Sequence, residues 1–508
     1  GFQMEQMIYR AQLGTSLDAD AEPTTGAGIV DMELFWHNGT AMLYTLSLVD
    51  EGIQVYALDG DATAATVEFQ EIPGWMSPFA LTGLGSLSLN GTSYVYIDGT
   101  GTDDLIGFDL RTGGDLDRTR VFDAPLPFTG RLRQALEVEM DGAQFLITAQ
   151  QGVTGLRDYR IESNRNLTEM GGPISGSRWI EGEDIQDLAS AVVDGTTYIM
   201  AAVDGLNAVV VYRLRGDGRV EEVSSFGADN GFGITTPTAL KTVQMYDQTY
   251  VLVTASGSST LSVMRLDGDG ILTPTDHLLD SRDTRFDGAL ALETVTVDNR
   301  TYVLAAGGDD GVSLFVLLPD GRLHHLDTVE DSEGISLNNV SAISAVRIGD
   351  ELQVFISSQS EAKVSQFGVS LAEAGVTWGG RDYGQTINGT SKNDIINGAG
   401  GNDAVNGGDG DDIVMDGSGT DTLSGGAGRD VFSMAADDEL DRIADFDVMQ
   451  DRLDLTRWRQ LRDVGDLDIQ TTPTGATITY GDEVLEITSS DGTGLAAATL
   501  RATIDLSS

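Results

Sequence analysis

GTSKNDIIN, GAGGNDAVN, GGDGDDIVM, DGSGTDTLS and GGAGRDVFS follow one another over residues 389–433, one nine-residue unit read five times without loss of register. Glycines recur near positions one, two and four. Asp394, Asp403, Asp412, Asp421 and Asp430 hold position six, and Ile396, Val405, Val414, Leu423 and Phe432 hold position eight. Glycine reaches backbone conformations closed to other residues, so each unit can curl tightly and aim its carbonyls inward. A short strand then sends its one apolar side chain into a thin core between two sheets. Five units in phase argue against a flexible Gly/Asp linker.

These units resemble the G-G-x-G-x-D-x-U-x repeat of the RTX family, whose stacked turns form a parallel β-roll around calcium. The resemblance implies Ca²⁺ as the cofactor, held by six to eight oxygens. Turns of such a roll alternate between two sides, which places an ion between repeats n and n+2. Asp394 is then expected to pair with Asp412, Asp403 with Asp421, and Asp412 with Asp430, giving roughly three sites. Gly398, Gly400, Gly407, Gly410 and Gly419, together with Asp409, are expected to complete the oxygen set. The preceding unit, GRDYGQTIN at 380–388, keeps Ile387 but has Gln385 at the acid position, as a degraded entry turn would. RTX proteins typically leave the cell by type I secretion on an uncleaved C-terminal signal. The resemblance therefore implies the type I secretion apparatus as a partner and a secreted, extracellular or cell-surface location.

The 508 residues carry 30 basic and 80 acidic side chains, a formal charge of −50. Phosphate binding needs basic patches, so no nucleic acid is expected as a partner, and an anionic membrane surface is disfavoured likewise. The absence of cysteine removes disulfides and thiolate metal sites. No apolar run is long enough for a transmembrane segment. The opening GFQMEQMIYRAQL lacks the basic and apolar regions of a signal peptide and an initiator Met, as a trimmed start would.

A second, longer repeat fills residues 1–378. NGTAMLYTL from Asn38, NGTSYVYI from Asn90, DGAQFLITA from Asp141, DGTTYIMAA from Asp194, DQTYVLVTA from Asp247, DNRTYVLAAG from Asp298 and GDELQVFISS from Gly349 start 51 to 53 residues apart. Each follows an alternating strand, such as LETVTV at 292–297, and precedes another, such as GVSLFVLL at 311–318. Four short strands per roughly 50 residues is the pattern of a β-propeller blade, and seven units predict seven blades. The segment EQMIYRAQL is expected to pair with the last blade and close the ring. In period and strand pattern the units resemble the degenerate repeats of lactonase-type propellers. GDG at 216–218 and DGDG at 267–270 fall where strand three turns into strand four and read as hairpin turns.

Residues 440–455, LDRIADFDVMQDRLDL, resemble the segment that closes the rolls of serralysin-like exported proteins. Asp445, Asp447 and Asp451 are expected either to bind a further calcium or to hydrogen-bond the final turn. ATITYGDEVLEITSS reads as a hairpin turning at Gly481-Asp482, and TGLAAATLRATIDLSS is the candidate secretion signal. The chain is thus all-β: a seven-bladed propeller over 1–378, an RTX parallel β-roll over 379–436, and a small β cap with the secretion-signal region over 437–508.

Propeller ligands usually meet the face that carries the loops between strands two and three and between blades. The long loops here offer Trp75, Arg178, Trp179, Asp184, Asp187, Arg282, Asp283, Arg285 and Asp287, a set suited to a glycan or another cell-surface ligand. The same Arg and Asp side chains can instead pin the loops to the scaffold. Neither HExxH nor GxSxG occurs, and no catalytic residue is identified. The leading expectation is a calcium-folded exported protein whose propeller is a ligand-binding, adhesion or assembly platform. Alternatives are a secreted propeller hydrolase or lyase acting on a lactone, ester or polysaccharide, and a structural subunit of a surface layer or matrix.

Overall fold

The computed structural model describes residues 4–14, 28–48, 50–72, 83–98, 106–117, 132–171, 180–361 and 363–506. Seven four-stranded antiparallel sheets form the N-terminal part, and the first strand of each touches the first strand of the next around a closed ring. Blade five shows the pattern: Pro237–Met245 on the axis, then Gln248–Ala255, Thr260–Leu266 and Leu272–Leu279 at the rim. Two-residue turns join the first two strands, as at Asn38-Gly39, where φ is 49° and 82°. Both central residues of such a turn need positive φ, which Asn and Gly accept most readily. The 216–218 and 267–270 segments do turn strand three into strand four of blades four and five.

The ring closes as expected from EQMIYRAQL. Val340–Ile348, Glu351–Ser358 and Lys363–Ser370 form three strands of blade seven, and Met7–Gly14 adds the fourth, antiparallel to Lys363–Ser370. Carboxylates stitch neighbouring blades together at their backbones. Asp158 accepts the Val220 N–H at 2.8 Å, Asp276 that of Leu323 at 2.7 Å, and Asp327 that of Met7 at 2.8 Å. The last bond fixes the start of the closing strand to blade six.

The roll begins with Ala374–Trp378, which pairs in parallel with Asn393–Asn397. From there the chain winds between two parallel sheets. Asn393–Asn397, Ile413–Met415, Val431–Ser433 and Arg452–Asp454 stack on one side, and Thr386–Asn388, Ala404–Asp409, Thr422–Ala427 and Leu440–Phe446 on the other. The apolar row reads as predicted: Ile396, Val405, Val414, Leu423 and Phe432 are all buried in one core with Ile387. The hairpin Gly475–Tyr480 and Glu483–Ser489 extends the second sheet. The C-terminal segment carries a short helix, Ala497–Arg501, and a strand, Ile504–Asp505, that pairs with the end of the first sheet.

Roll and propeller share a second apolar core. Ile395, Ile413, Met415 and Val431 point outward from the first roll sheet and pack with Leu318, Leu326 and Leu371 of blades six and seven. Among the described residues no helix is long and apolar enough to cross a membrane.

Candidate metal centre

The repeat aspartates form two rows, one along each edge of the roll. In each row an aspartate Oδ1 accepts the backbone N–H of the residue one full turn earlier. Along one edge Asp394 accepts from Val376 at 2.6 Å, Asp412 from Asp394 at 2.7 Å and Asp430 from Asp412 at 3.0 Å. Along the other, Asp403 accepts from Gln385 at 2.7 Å and Asp421 from Asp403 at 2.7 Å. The rungs therefore join repeats n and n+2, the same partners that the alternation of turns predicts.

The second oxygen of each carboxylate is in a different condition. Oδ2 of Asp403, Asp412, Asp421 and Asp430 is buried with no hydrogen-bond partner. Buried polar oxygens are normally satisfied, and an orphan facing open space is suited to a water or an ion. Asp394 departs from this pattern, because its Oδ2 accepts from the Thr390 N–H at 2.5 Å and the Thr390 hydroxyl at 3.1 Å. A Cβ placed on Gly398, Gly407 or Gly425 would collide with the Oδ2 of Asp403, Asp412 or Asp430 respectively. Position one is glycine there because any side chain would fill the space those oxygens face.

Electrostatics point the same way. Burial pushes the Asp412 carboxyl up to about 8, with Asp430 and Asp394 adding to it. Asp430 rises to about 7 and Asp421 to about 6, again chiefly through burial, and Asp403 is raised for the same reason. Ionised carboxylates in such a row need a cation beside them. Among the described residues no three acidic or histidine side chains converge to hold an ion by themselves, so an ion here would need backbone carbonyls among its ligands. Gly410 and Gly419, with φ of 114° and 118°, turn the chain at position four. Gly400 bridges to Ser418 on the next turn, and Asp409 is exposed. Hard carboxylate and carbonyl oxygens without thiolate or imidazole are a donor set that suits calcium.

The closing segment is tied to the roll by the aspartates that stood out in its sequence. Asp445 accepts from the Gly425 and Gly426 N–H groups, both at 3.0 Å. Asp451 accepts from Asp430 at 3.0 Å and Asp447 at 2.7 Å. Asp447 accepts from Met449 and Gln450, both at 2.9 Å. Asp441, which the nine-residue register does not reach, accepts from the Asp421 N–H at 2.9 Å and so takes the next place in the second row.

On the propeller, Trp75, Arg178 and Trp179 lie outside the described residues. Asp184 ends a short 3₁₀ turn ahead of the axial strand of blade four. Arg282, Asp283, Arg285 and Asp287 share the crossover from blade five to blade six. There Arg285 pairs with Glu330 and donates to the Arg282 carbonyl at 3.1 Å. Asp283 accepts from Thr328 through its carbonyl at 2.8 Å, and Asp287 binds Ser259. The histidines occupy strands: His37 ends an axial strand, and His277, His324 and His325 lie in outer ones.

The axial channel holds charged groups that loop-based reasoning passes over. A cavity of about 820 Å³ is lined by Asp31, Glu33, Asp187, Lys241 and Glu293, with Arg133 at its wall. Bulges in the axial strands expose extra residues there, Arg133, Gln186 and Thr238 among them. Lys241 pairs with Glu293 at 3.3 Å. Burial and the nearby Asp31 raise Glu33 to about 8, and burial lifts Asp31 to about 6. The sequence signal was a charged residue on the inward side of strands such as DMELFWH and TALKTVQM.

No curated protein matches the chain. Residues 379–414 and 406–433 match the model of the RTX calcium-binding nonapeptide repeat, 4 copies in length. The β-roll behind the seven-bladed propeller is therefore an RTX calcium-binding repeat.

Proposed function

We propose that this is an exported calcium-binding protein in which the ions sit in the two acid rows and fold the roll after type I secretion. Asp394, Asp412 and Asp430 hold ions along one edge, and Asp403 and Asp421 along the other. Glycine-turn carbonyls, those of Gly398, Gly400, Gly407, Gly410 and Gly419 among them, complete the ligand sets. The observation that carries this reading is the four buried Oδ2 atoms without a partner, three of them facing space that a glycine keeps clear. Bound calcium supplies the positive charge that lets those carboxylates ionise together. In a low-calcium cytosol the carboxylates repel and the glycine-rich chain stays loose, a form suited to export. Extracellular calcium modules bind at about 10⁻⁴–10⁻³ M, so folding would follow release.

The propeller then serves as a ligand-binding, adhesion or assembly platform for a glycan or other cell-surface partner. Its channel favours one further reading, a hydrolase or lyase for a lactone, ester or polysaccharide, because carboxylates with raised proton affinity line a cavity of about 820 Å³. Calorimetric titration of the full chain, with circular dichroism in chelator and in millimolar calcium, tests the main reading. Heat of binding with a gain of β structure is expected. No binding and unchanged spectra would refute it. Turnover of lactones, aryl esters or acidic polysaccharides would favour the enzyme, and inactivity on all of them the platform.

A further inference from the structure

Blade six meets the roll through two of its turns, and each turn supplies an arginine. Residues 318–322 lead from Gly311–Leu317 into Leu323–Glu330. There Arg322 Nη1 lies 2.8 Å from Asp454 Oδ2, and Nη2 donates to the Ser433 hydroxyl at 2.5 Å. Both acceptors end strands of the first roll sheet. Arg300, which is 2% exposed, follows the Asp298-Asn299 turn and works at the opposite edge of that sheet. It donates to the carbonyls of Asn393 at 2.6 Å and Val376 at 3.4 Å, and to the Thr377 hydroxyl at 3.2 Å.

The remaining acceptor of Arg300 comes from the other end of the chain. Glu5 Oε1 accepts from Arg300 Nη1 at 2.6 Å and from the Tyr302 hydroxyl at 2.8 Å. Glu5 lies just ahead of Met7–Gly14, the strand that closes the propeller ring. Met7 is buried in the same core as Ile395, Ile413, Met415 and Val431 of the roll, and Met4 packs against that core. The start of the closing strand and the outward face of the roll therefore share one interior.

This arrangement makes the hold on Glu5 depend on the roll. With the roll docked, Arg300 is shut away from water, and release of Glu5 would leave a buried charge uncompensated. With the roll unfolded, the acceptors on Val376, Thr377 and Asn393 are gone and water reaches the guanidinium. An ion pair in water stabilises little, so Glu5 can leave at small cost. We propose that the folded roll is a latch on the propeller ring. By folding the roll over Arg300, calcium locks Glu5 and Met7–Gly14 in place, and without calcium the ring opens readily at that strand. This inference rests on the reading that calcium folds the roll. The strand has two states, docked and released, and calcium biases them through the contacts that only the folded roll makes. Coupling of this kind is reciprocal, so weakening the hold on Glu5 must also weaken calcium binding. A ring that closes only in calcium keeps the propeller loose in the cytosol and completes it outside.

Hydrogen exchange of the full chain is compared in millimolar calcium and in chelator. Asn393–Asn397 reports the roll, and Thr196–Val203 of blade four is the remote reference. Exchange in Met7–Gly14 is expected to quicken roughly tenfold in chelator, while Thr196–Val203 changes little. If the roll loses protection and Met7–Gly14 keeps it, the latch is overturned and calcium in the rows stands. An equal loss in Thr196–Val203 also overturns it, because the effect would then be global. Identical exchange throughout the chain in both conditions defeats the rows and the latch together. Glu5→Gln reads the coupling from the other side. Glutamine keeps an oxygen for Arg300 and Tyr302 while removing the charge, and should raise the calcium midpoint of roll folding about fivefold. An unchanged midpoint in the folded variant, followed by circular dichroism, overturns the proposal.

Discussion

Arg300 Nη1 lies 2.6 Å from Glu5 Oε1, and both side chains are only 3% exposed. The pair joins blade six to the residues just ahead of the closing strand. The same guanidinium donates to the Asn393 carbonyl at 2.6 Å and to the Thr377 hydroxyl at 3.2 Å. Asn393 immediately precedes Asp394, the first aspartate of the rows. One buried cation thus touches the ring closure, the propeller and the first turns of the roll. Removing one partner of a buried pair leaves an uncompensated charge.

Arg300→Met should therefore destabilise the calcium-loaded chain by roughly 3 kcal/mol. Amide exchange in Met7–Gly14 should rise at the same time. Denaturant unfolding and hydrogen exchange check this, and wild-type values in both would show that the pair is dispensable.

Gly407→Ala should impair calcium binding, because the new methyl enters the space beside Asp412 Oδ2. A loss of roughly tenfold in affinity at that edge is expected. Gly60→Ala, where no atom lies within 4 Å of a new Cβ, is the control. Equal calorimetric titrations for the two variants would remove the glycine argument.

Ala399 stands at the second position of its repeat with φ of 71°, where the next three repeats have glycine at positive φ. An L-residue there carries about 1–2 kcal/mol of strain. Ala399→Gly should stabilise the roll by roughly 0.5–1 kcal/mol, since added chain entropy offsets part of the relief. A lower unfolding midpoint in calcium would contradict this.

Stability should fall as pH rises from the ordinary carboxyl range to about 8, through the channel. Glu33 has its carboxyl raised to about 8 by burial. Below the ordinary carboxyl range both folded and unfolded chains hold that proton. Between there and about 8 only the folded chain holds it, so stability declines as pH rises across this window. Solvent screening of the part-exposed Glu33 limits the effect to about 1 kcal/mol. Glu33→Gln keeps an acceptor for the Ser86 hydroxyl, which lies 3.2 Å from Glu33 Oε2, and should flatten the decline. Unfolding curves of both proteins at about pH 5 and about pH 9 decide it, parallel pH profiles being the contrary outcome.

The turn period and the acid and apolar rows were legible in the chain because each depends on residues within nine of one another. The seven blades were legible for a similar reason, since each repeats its own turn and strands. Asp441 was not, because two extra residues after Ser433 break the register while the backbone ladder restores it. Position seven carried a signal that went unread. It is Ile395, Ile413 and Val431 in alternate repeats, with Ala404 and Thr422 between. Because turns alternate sides, the first three share one sheet face against the propeller, and the other two are exposed.

Taken alone, the sequence determined a glycine-turned acidic roll, seven strand-turn-strand units and a closing N-terminal strand, since these follow from local torsions and hydrophobic period. Only the tertiary structure decided where the roll docks, that Arg300 meets Glu5 across 295 residues, and that Asp31, Glu33, Asp187, Lys241 and Glu293 share one channel. Those contacts join residues far apart in the chain, and no local pattern encodes which distant partner will offset the burial of a charge.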